Sequence, residues 1–91
     1  MCNLIIRAKF ADYERWRSIF DQNASFRRSN GAIGGEQIYR DVDNPNEITV
    51  ILEWDKPENA RKFSKDPQLA AVMAKAGVIG KPTLVSIASN A

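Results

Sequence analysis

The sequence predicts an α+β fold in which four antiparallel strands form one sheet and two helices cover one of its faces. Two observations predict this class: segments with an apolar residue at every second position alternate with segments of helical period, and turn signals separate them. The chain has 91 residues, of which 44% are hydrophobic and 26% charged. A second core would not fit in this length, so we expect a single domain over residues 1–91.

The N-terminal part is predicted to form a strand and then a helix. Residues 2–10 alternate, with apolar side chains at the even positions from Leu4 to Phe10. Asp12 is a suitable N-cap, and apolar residues then recur every three or four positions. Gly31 provides a left-handed end, so we predict one amphipathic helix over 12–29. The stripe of this helix comprises Tyr13, Trp16, Phe20, Ala24 and Arg27.

A β-hairpin is predicted next. Residues 33–42 are extended, and Gly34 and Gly35 near the start favour a bulge or a close backbone approach. A turn signal over 43–46 leads into a clear strand over 47–55. Because the connection is short, the two strands are expected to pair antiparallel.

The C-terminal part is predicted to form a second helix and a last strand. Pro57 suits the first turn of a helix, and Asp66 followed by Pro67 indicates that the helix restarts there. Helical spacing continues to Gly77, and a loop leads to a strand over 83–89. The inward side of the helix comprises Ala60, Phe63, Leu69, Val72, Met73 and Ala76.

The resulting order, β-α-β-β-α-β, is typical of a ferredoxin-like sandwich. Right-handed crossovers are expected to place the first and third strands side by side and parallel. The compact arrangement is a four-stranded antiparallel sheet with both helices on one face.

The other face of the sheet is expected to be covered as well. A solvated face would alternate cleanly to polar residues, but Ile5 and Ile51 lie on the second side of their strands. Scattered surface isoleucines are one explanation. A homodimer is the other, since each buried aliphatic side chain is worth about 1.5–3 kcal/mol, and we predict it. The candidate dimer face comprises Ile5, Arg7, Tyr39, Ile51, Glu53, Val85 and Ile87. Arg7 and Glu53 could pair within the layer between the two sheets, or they are two solvated ends of its rim.

Composition excludes several function classes. The net charge of +2 gives no reason to expect nucleic acid or a membrane as partner. His is absent, and the single cysteine, Cys2, cannot form an internal disulfide or a multi-cysteine metal site. We therefore expect no metal and no cofactor. The sequence has no secretory signal and no apolar run near the roughly 20 residues of a membrane span, so a cytoplasmic location is expected.

Aromatic residues concentrate where the helices should meet the sheet. Such a cluster can wall an apolar pocket for a small molecule, or it can be ordinary core. Trp16 and Trp54 are the more informative members, because a buried indole N–H needs a partner. Arg40 has helix-facing parity and could hold an anionic oxygen at the rim. The pocket candidates are Tyr13, Trp16, Phe20, Arg40, Trp54, Phe63 and Met73, and the catalytic residues are unknown.

The chain resembles the dimeric α+β barrel superfamily, in particular small proteins similar to antibiotic-biosynthesis monooxygenases. The residues that carry the resemblance are Asp12, Tyr13 and Trp16, then Leu52, Glu53, Trp54 and Asp55, then Ala60 and Phe63, then Asp66, Pro67 and Leu69, and finally Met73, Gly77 and Val78. The resemblance implies two sheets packed face to face across a dimer. It also makes Trp54 a candidate pocket residue, because it matches a strand-end Trp that lines the cavity in the monooxygenase branch.

The resemblance implies several activities. Some members oxidise aromatic polyketides without metal or flavin, some cyclise polyketides, and some degrade haem with a His ligand that this sequence lacks. The preferred hypothesis is a homodimer that binds a hydrophobic or aromatic compound and resembles cofactor-independent monooxygenases. The alternatives are a non-catalytic binding or stress-related module and a polyketide-cyclase-like enzyme.

Overall fold

The computed structural model of the chain describes residues 1–89; residues 90 and 91 of the predicted domain lie outside the described part. Strands and helices alternate as the sequence predicts, except that each predicted helix is divided in two. The elements are β1 (Cys2–Lys9), α1 (Tyr13–Gln22), α2 (Ala24–Ser29), β2 (Ala32–Arg40), β3 (Glu47–Trp54), α3 (Pro57–Ser64), α4 (Pro67–Lys75) and β4 (Leu84–Ser89).

The sheet has the order β2-β3-β1-β4, and all neighbouring strands are antiparallel. The expectation that the first and third strands lie parallel is wrong, because β1 and β3 pair antiparallel with Ile5 opposite Ile51. The right-handed crossover joins β1 to β2, which run in the same direction but are not neighbours. The hairpin then returns β3 into the space between them.

The first predicted helix is interrupted at Asn23. Its side-chain amide donates to the carbonyl of Ile19 at 2.8 Å, and Asn30 repeats this contact with Phe26 at 2.8 Å. A side chain that binds a helix carbonyl competes with the backbone, which favours ending the helix there. The predicted cap at Asp12 is confirmed, since its carboxylate accepts from the Glu14 backbone N–H at 3.2 Å.

The second helical region breaks where the sequence predicts. Asp66 caps α4 by accepting from the Gln68 backbone N–H at 2.9 Å, and Pro67 occupies the first turn. Pro57 occupies the corresponding position of α3. Gly77 follows α4 with φ of 85°, a conformation that favours glycine.

The core lies between the helices and one face of the sheet, with Trp54 at one end. Trp54 is fully buried, and its indole Nε1 donates to the carbonyl of Asn30 at 3.0 Å. Gly31 adopts φ of 121° there, and its carbonyl accepts from the Asp55 backbone N–H at 2.9 Å. The strand side chains beneath the helices are Leu4, Ile6, Ala8, Ile48, Val50, Leu52 and Trp54, all buried.

Arg7 and Glu53 do not pair within the chain. Arg7 lies opposite Thr49 in the register, and its guanidinium binds Glu47, with Nε to the carboxylate at 2.6 Å, and Asp41 at 3.1 Å. The hydrogen bond to Glu47 and the charges of both carboxylates raise the pKa of Arg7 above its ordinary value. Glu53 instead lies against Gly35, where a Cβ would collide with its carboxylate.

Two predicted dimer-face residues lie on the wrong side. Val85 pairs with Ile6 and Ile87 pairs with Leu4, so both share the face that the helices cover. The prediction assigned the opposite parity to β4, because Leu84 and Val85 are both apolar and the pattern does not distinguish the faces. Leu84 pairs with Arg7 and belongs to the helix-free face.

The bulge expected at the start of the hairpin is confirmed by a register shift between Ala32 and Glu36.

Within residues 1–89, no helix is both long and apolar enough to cross a membrane.

Replacing Gly31 by alanine is expected to lower the free energy of unfolding by about 2 kcal/mol or more. The residue needs a positive φ, and a Cβ would lie 2.6 Å from Trp54 Nε1. Gly34 is the matched control, because its φ is 115° and a Cβ there meets no atom within 4 Å. Gly34→Ala should therefore incur only backbone strain, about 1 kcal/mol. Urea denaturation at one protein concentration measures both, and equal losses would contradict the close contact with Trp54.

Candidate functional site

An apolar cavity of about 70 Å³ lies between the helices and the central strands. Its floor comes from β1 and β3, and its walls come from all four helices. The side chains that line it include Ile6, Ala8, Trp16, Ile19, Phe20, Phe26, Ile48, Val50, Phe63, Leu69, Val72, Met73 and Ala76. An engineered apolar cavity of about 150 Å³ stays dry and binds benzene, so a ring compound must push these walls apart to enter here.

Aromatic rings form much of the wall. Trp16 stacks on Phe20 with ring centroids 5.0 Å apart and an angle of 20° between the planes. On the other side, Phe26 and Phe63 lie 5.3 Å apart. The spacing of four residues along α1 places Trp16 and Phe20 one turn apart on the same face. The cavity therefore has flat apolar surfaces suited to a planar ring.

A surface groove between α2 and α4 lies next to the cavity. Asn23, Phe26 and Val72 line both the groove and the cavity. These three side chains are only half buried, so small movements of them would open the site. At the far end of α4, Arg15 Nε donates to the Lys75 carbonyl at 2.8 Å and ties α1 to α4.

The structure brings four of the seven predicted pocket residues together in the cavity wall: Trp16, Phe20, Phe63 and Met73. Trp54 is not among the lining residues. It packs behind Phe63 with ring centroids 4.7 Å apart, and the Asn30 carbonyl satisfies its indole N–H. Trp54 therefore supports the wall from outside the cavity.

Tyr13 and Arg40 lie together at another place, outside the cavity wall. The Arg40 guanidinium carbon is 4.5 Å from the centroid of the Tyr13 ring, and Arg40 Nε donates to the Pro45 carbonyl at 3.1 Å. Arg40 is exposed, so its charge stays in water. This pair stabilises the junction of α1 with the β2–β3 turn and does not reach the cavity.

Sequence reasoning missed the arginine that does line the cavity. Arg27 is 6% exposed, and its guanidinium carbon lies 3.7 Å from the centroid of the Phe20 ring. Its Nη1 donates to the Phe20 carbonyl at 2.6 Å, and Nη2 donates to Glu36 at 3.0 Å. The sequence did carry a signal for this role, because Arg27 occupies a position in the apolar stripe of the first predicted helix. A residue at such a position is expected to face the core and not the solvent.

Within residues 1–89, no group of three or more His, Cys, Asp or Glu side chains is placed to hold a metal ion. Asn23 and Arg27 are the polar members among the residues that line the cavity.

Neither a family model nor a curated protein matches the chain. Among solved structures, a protein from Bordetella bronchiseptica, provisionally named an antibiotic biosynthesis monooxygenase, is similar with a TM-score of 0.75 and 14% identity, over 99% of this chain and 96% of that one. SnoaB from Streptomyces nogalater, a cofactor-independent oxygenase, is similar with a TM-score of 0.72 and 14% identity. The likeness covers 99% of this chain and 92% of SnoaB. A conserved protein from Methanosarcina mazei is similar with a TM-score of 0.60 and 11% identity, over 99% of this chain and 92% of that one. These likenesses confirm the predicted fold.

A ring compound in the cavity is expected to change the fluorescence of Trp16 and not that of Trp54. Trp16 lines the cavity and Trp54 lies behind Phe63. Benzene should therefore alter the emission of the Trp54→Phe variant and leave the emission of the Trp16→Phe variant unchanged. The opposite result would place the binding site beside Trp54. Circular dichroism of both variants controls for folding.

Proposed function

We propose that the protein binds a small hydrophobic or aromatic compound in this cavity and oxidises it with molecular oxygen without a cofactor. The observation that carries the proposal is an apolar cavity with stacked aromatic walls between helices and sheet. Binding sites for small molecules are commonly of this kind, with few polar groups. The fold shared with SnoaB supports the oxidative part of the proposal.

The chain would contribute orientation and exclusion of water. The stack of Trp16 on Phe20 fixes the plane of a bound ring, and the aliphatic floor from β1 and β3 keeps water away from it. The reacting species is the substrate's own enolate, which gives its electrons to oxygen. One oxygen atom enters the product as a carbonyl in place of two hydrogens, and the other leaves as water.

A non-catalytic binding module is the alternative, and one observation favours it. Among the described residues that line the cavity there is no carboxylate, and the sequence has no His. The cavity therefore offers no evident general base, and a substrate would have to ionise unaided. A ligand that does not ionise would simply be held.

We also propose that two copies of the chain pair through the helix-free face. Ile5 and Ile51 lie opposite each other on the two central strands and remain partly exposed. Tyr39 and Leu84 flank them, with exposed fractions of 54% and 46%. An apolar centre with polar and charged neighbours is typical of protein interfaces.

Filling the cavity is expected to weaken binding and turnover together. Ala76 is buried in the cavity wall, so Ala76→Val adds two methyl groups where a ligand would lie. Ala74→Val is the matched control, because Ala74 is exposed in the last turn of α4 and Ala76 caps that helix. Toluene binding by calorimetry should fall about tenfold or more for Ala76→Val and stay unchanged for Ala74→Val.

Oxygen uptake with anthrone in chelator-treated buffer separates the two functions. We expect uptake above the uncatalysed rate for the wild type and for Ala74→Val, and a loss for Ala76→Val. Toluene binding without anthrone oxidation would support the non-catalytic module for this ketone class.

A charge at the centre of the helix-free face is expected to dissociate the dimer. Ile51→Lys would place an ammonium group against its counterpart in a layer with little water. Sedimentation equilibrium should give twice the chain mass of 10.2 kDa for the wild type and the single mass for Ile51→Lys. Ala74→Lys controls for a charge added on the helical side. A folded wild type of single mass at micromolar concentration would overturn the pairing.

A further inference from the structure

We infer that Arg27 is the recognition group of the cavity, and that it selects a neutral ring compound with one carbonyl-type oxygen. This inference rests on the proposed binding function and specifies its ligand. It assigns to Arg27 the polar contact that sequence reasoning gave to Arg40.

The first step is the hydrogen bonding of the guanidinium. Arg27 directs Nη1 to the Phe20 carbonyl and Nη2 to Glu36. Its Nε is buried and has no hydrogen-bond partner among the described residues 1–89. A buried N–H attached to a positive charge is costly to leave unpaired, and each such group in a folded protein calls for an explanation.

The second step is the location of this donor. Arg27 belongs to the wall of the apolar cavity, and its guanidinium lies 3.7 Å from the Phe20 ring centroid. The other polar wall residue, Asn23, uses its amide N–H to hold the Ile19 carbonyl. Nε has almost no accessible surface, so an oxygen reaches this donor only on a ring that pushes the walls apart beside Phe20.

The third step is the charge of the ligand. Glu36 lies 3.0 Å from Nη2 and already balances the positive charge of Arg27. A carboxylate on the ligand would bring a second negative charge close to Glu36, whose side chain is 39% exposed, and this repulsion is unfavourable. A carbonyl oxygen accepts the hydrogen bond without this repulsion, so the pair favours a neutral ketone.

The same geometry would serve the proposed reaction. A ketone that loses a proton from the neighbouring carbon develops negative charge on its oxygen. A hydrogen bond from a guanidinium strengthens as that charge develops, so it stabilises the enolate more than the bound ketone. Arg27 thus acts as both a specificity group and an oxyanion contact.

Three single-ring probes of similar shape test the inference. Acetophenone carries a carbonyl, α-methylstyrene replaces that oxygen by a CH₂ group, and benzoate carries a full negative charge at neutral pH. Calorimetry should show acetophenone binding about tenfold or more tighter than either of the others, the value of one hydrogen bond from a charged donor. Tighter binding of benzoate would overturn the neutral-ligand inference.

Matched variants assign the preference to a residue. Arg27→Met should remove the preference for acetophenone over α-methylstyrene and leave α-methylstyrene binding largely unchanged. Arg28→Met is the control for charge, since Arg28 is the exposed neighbour on the same helix. Arg40→Met is the control for the site that the sequence predicted. Loss of the preference in Arg40→Met, with retention in Arg27→Met, would overturn the inference.

An NMR measurement on the wild-type protein tests the same contact without depending on whether a variant folds. The Nε–H resonance of Arg27 in a ¹H–¹⁵N spectrum should shift with acetophenone and not with α-methylstyrene. No shift with either, while both bind, would mean that water or Glu36 occupies this donor, and the inference would fail with the cavity function intact. If none of the probes binds, the proposed function itself fails.

Discussion

The structure depends on burying one face of two central strands, β1 and β3, beneath the helices. Their even-numbered side chains, such as Leu4 and Leu52, are almost fully shielded from water, and each contributes about 1.5–3 kcal/mol. A shift of one residue in register would turn this whole face to solvent. The antiparallel pairing of β1 with β3, the hairpin that delivers β3, and the position of the helical layer all follow from this burial.

The cavity arises because the layer that covers these strands is made of short, separate helices. None of α1 to α4 exceeds ten residues, and the asparagine at the end of α1 breaks the first pair. Large rings such as Trp16 and Phe20 keep the helices away from the floor, while Ala8 and Ala76 leave space beneath them. Packing of large against small residues thus leaves a gap at the centre of the core, next to the groove between α2 and α4.

The two faces of the sheet each carry an arginine, and the two guanidinium groups differ in their hydrogen bonding. On the helix-free face, Arg7 bridges Glu47 and Asp41 and organises the β2–β3 turn, where Asp41 also accepts the Asn44 backbone N–H at 2.9 Å. On the helical side, Arg27 is buried beside an aromatic ring, and its Nε has no partner in the described part of the chain. The first arrangement pairs Arg7 with two carboxylates of its own chain. The second leaves Nε of Arg27 unpaired among residues 1–89, which is why it points to a ligand.

The sequence by itself determined the strands, the caps at Asp12 and Asp66, the ferredoxin-like order, and four residues of the cavity wall, because periodicity and capping are local properties. It could not determine which parity of β4 faces the helices, since Val85 and Leu84 are equally apolar. It could not separate Trp54 from Trp16, because both lie on inward positions and only packing places Phe63 between Trp54 and the cavity. Tertiary structure alone decided that Arg27, not Arg40, lines the site, because burial of a long side chain depends on the neighbours that surround it.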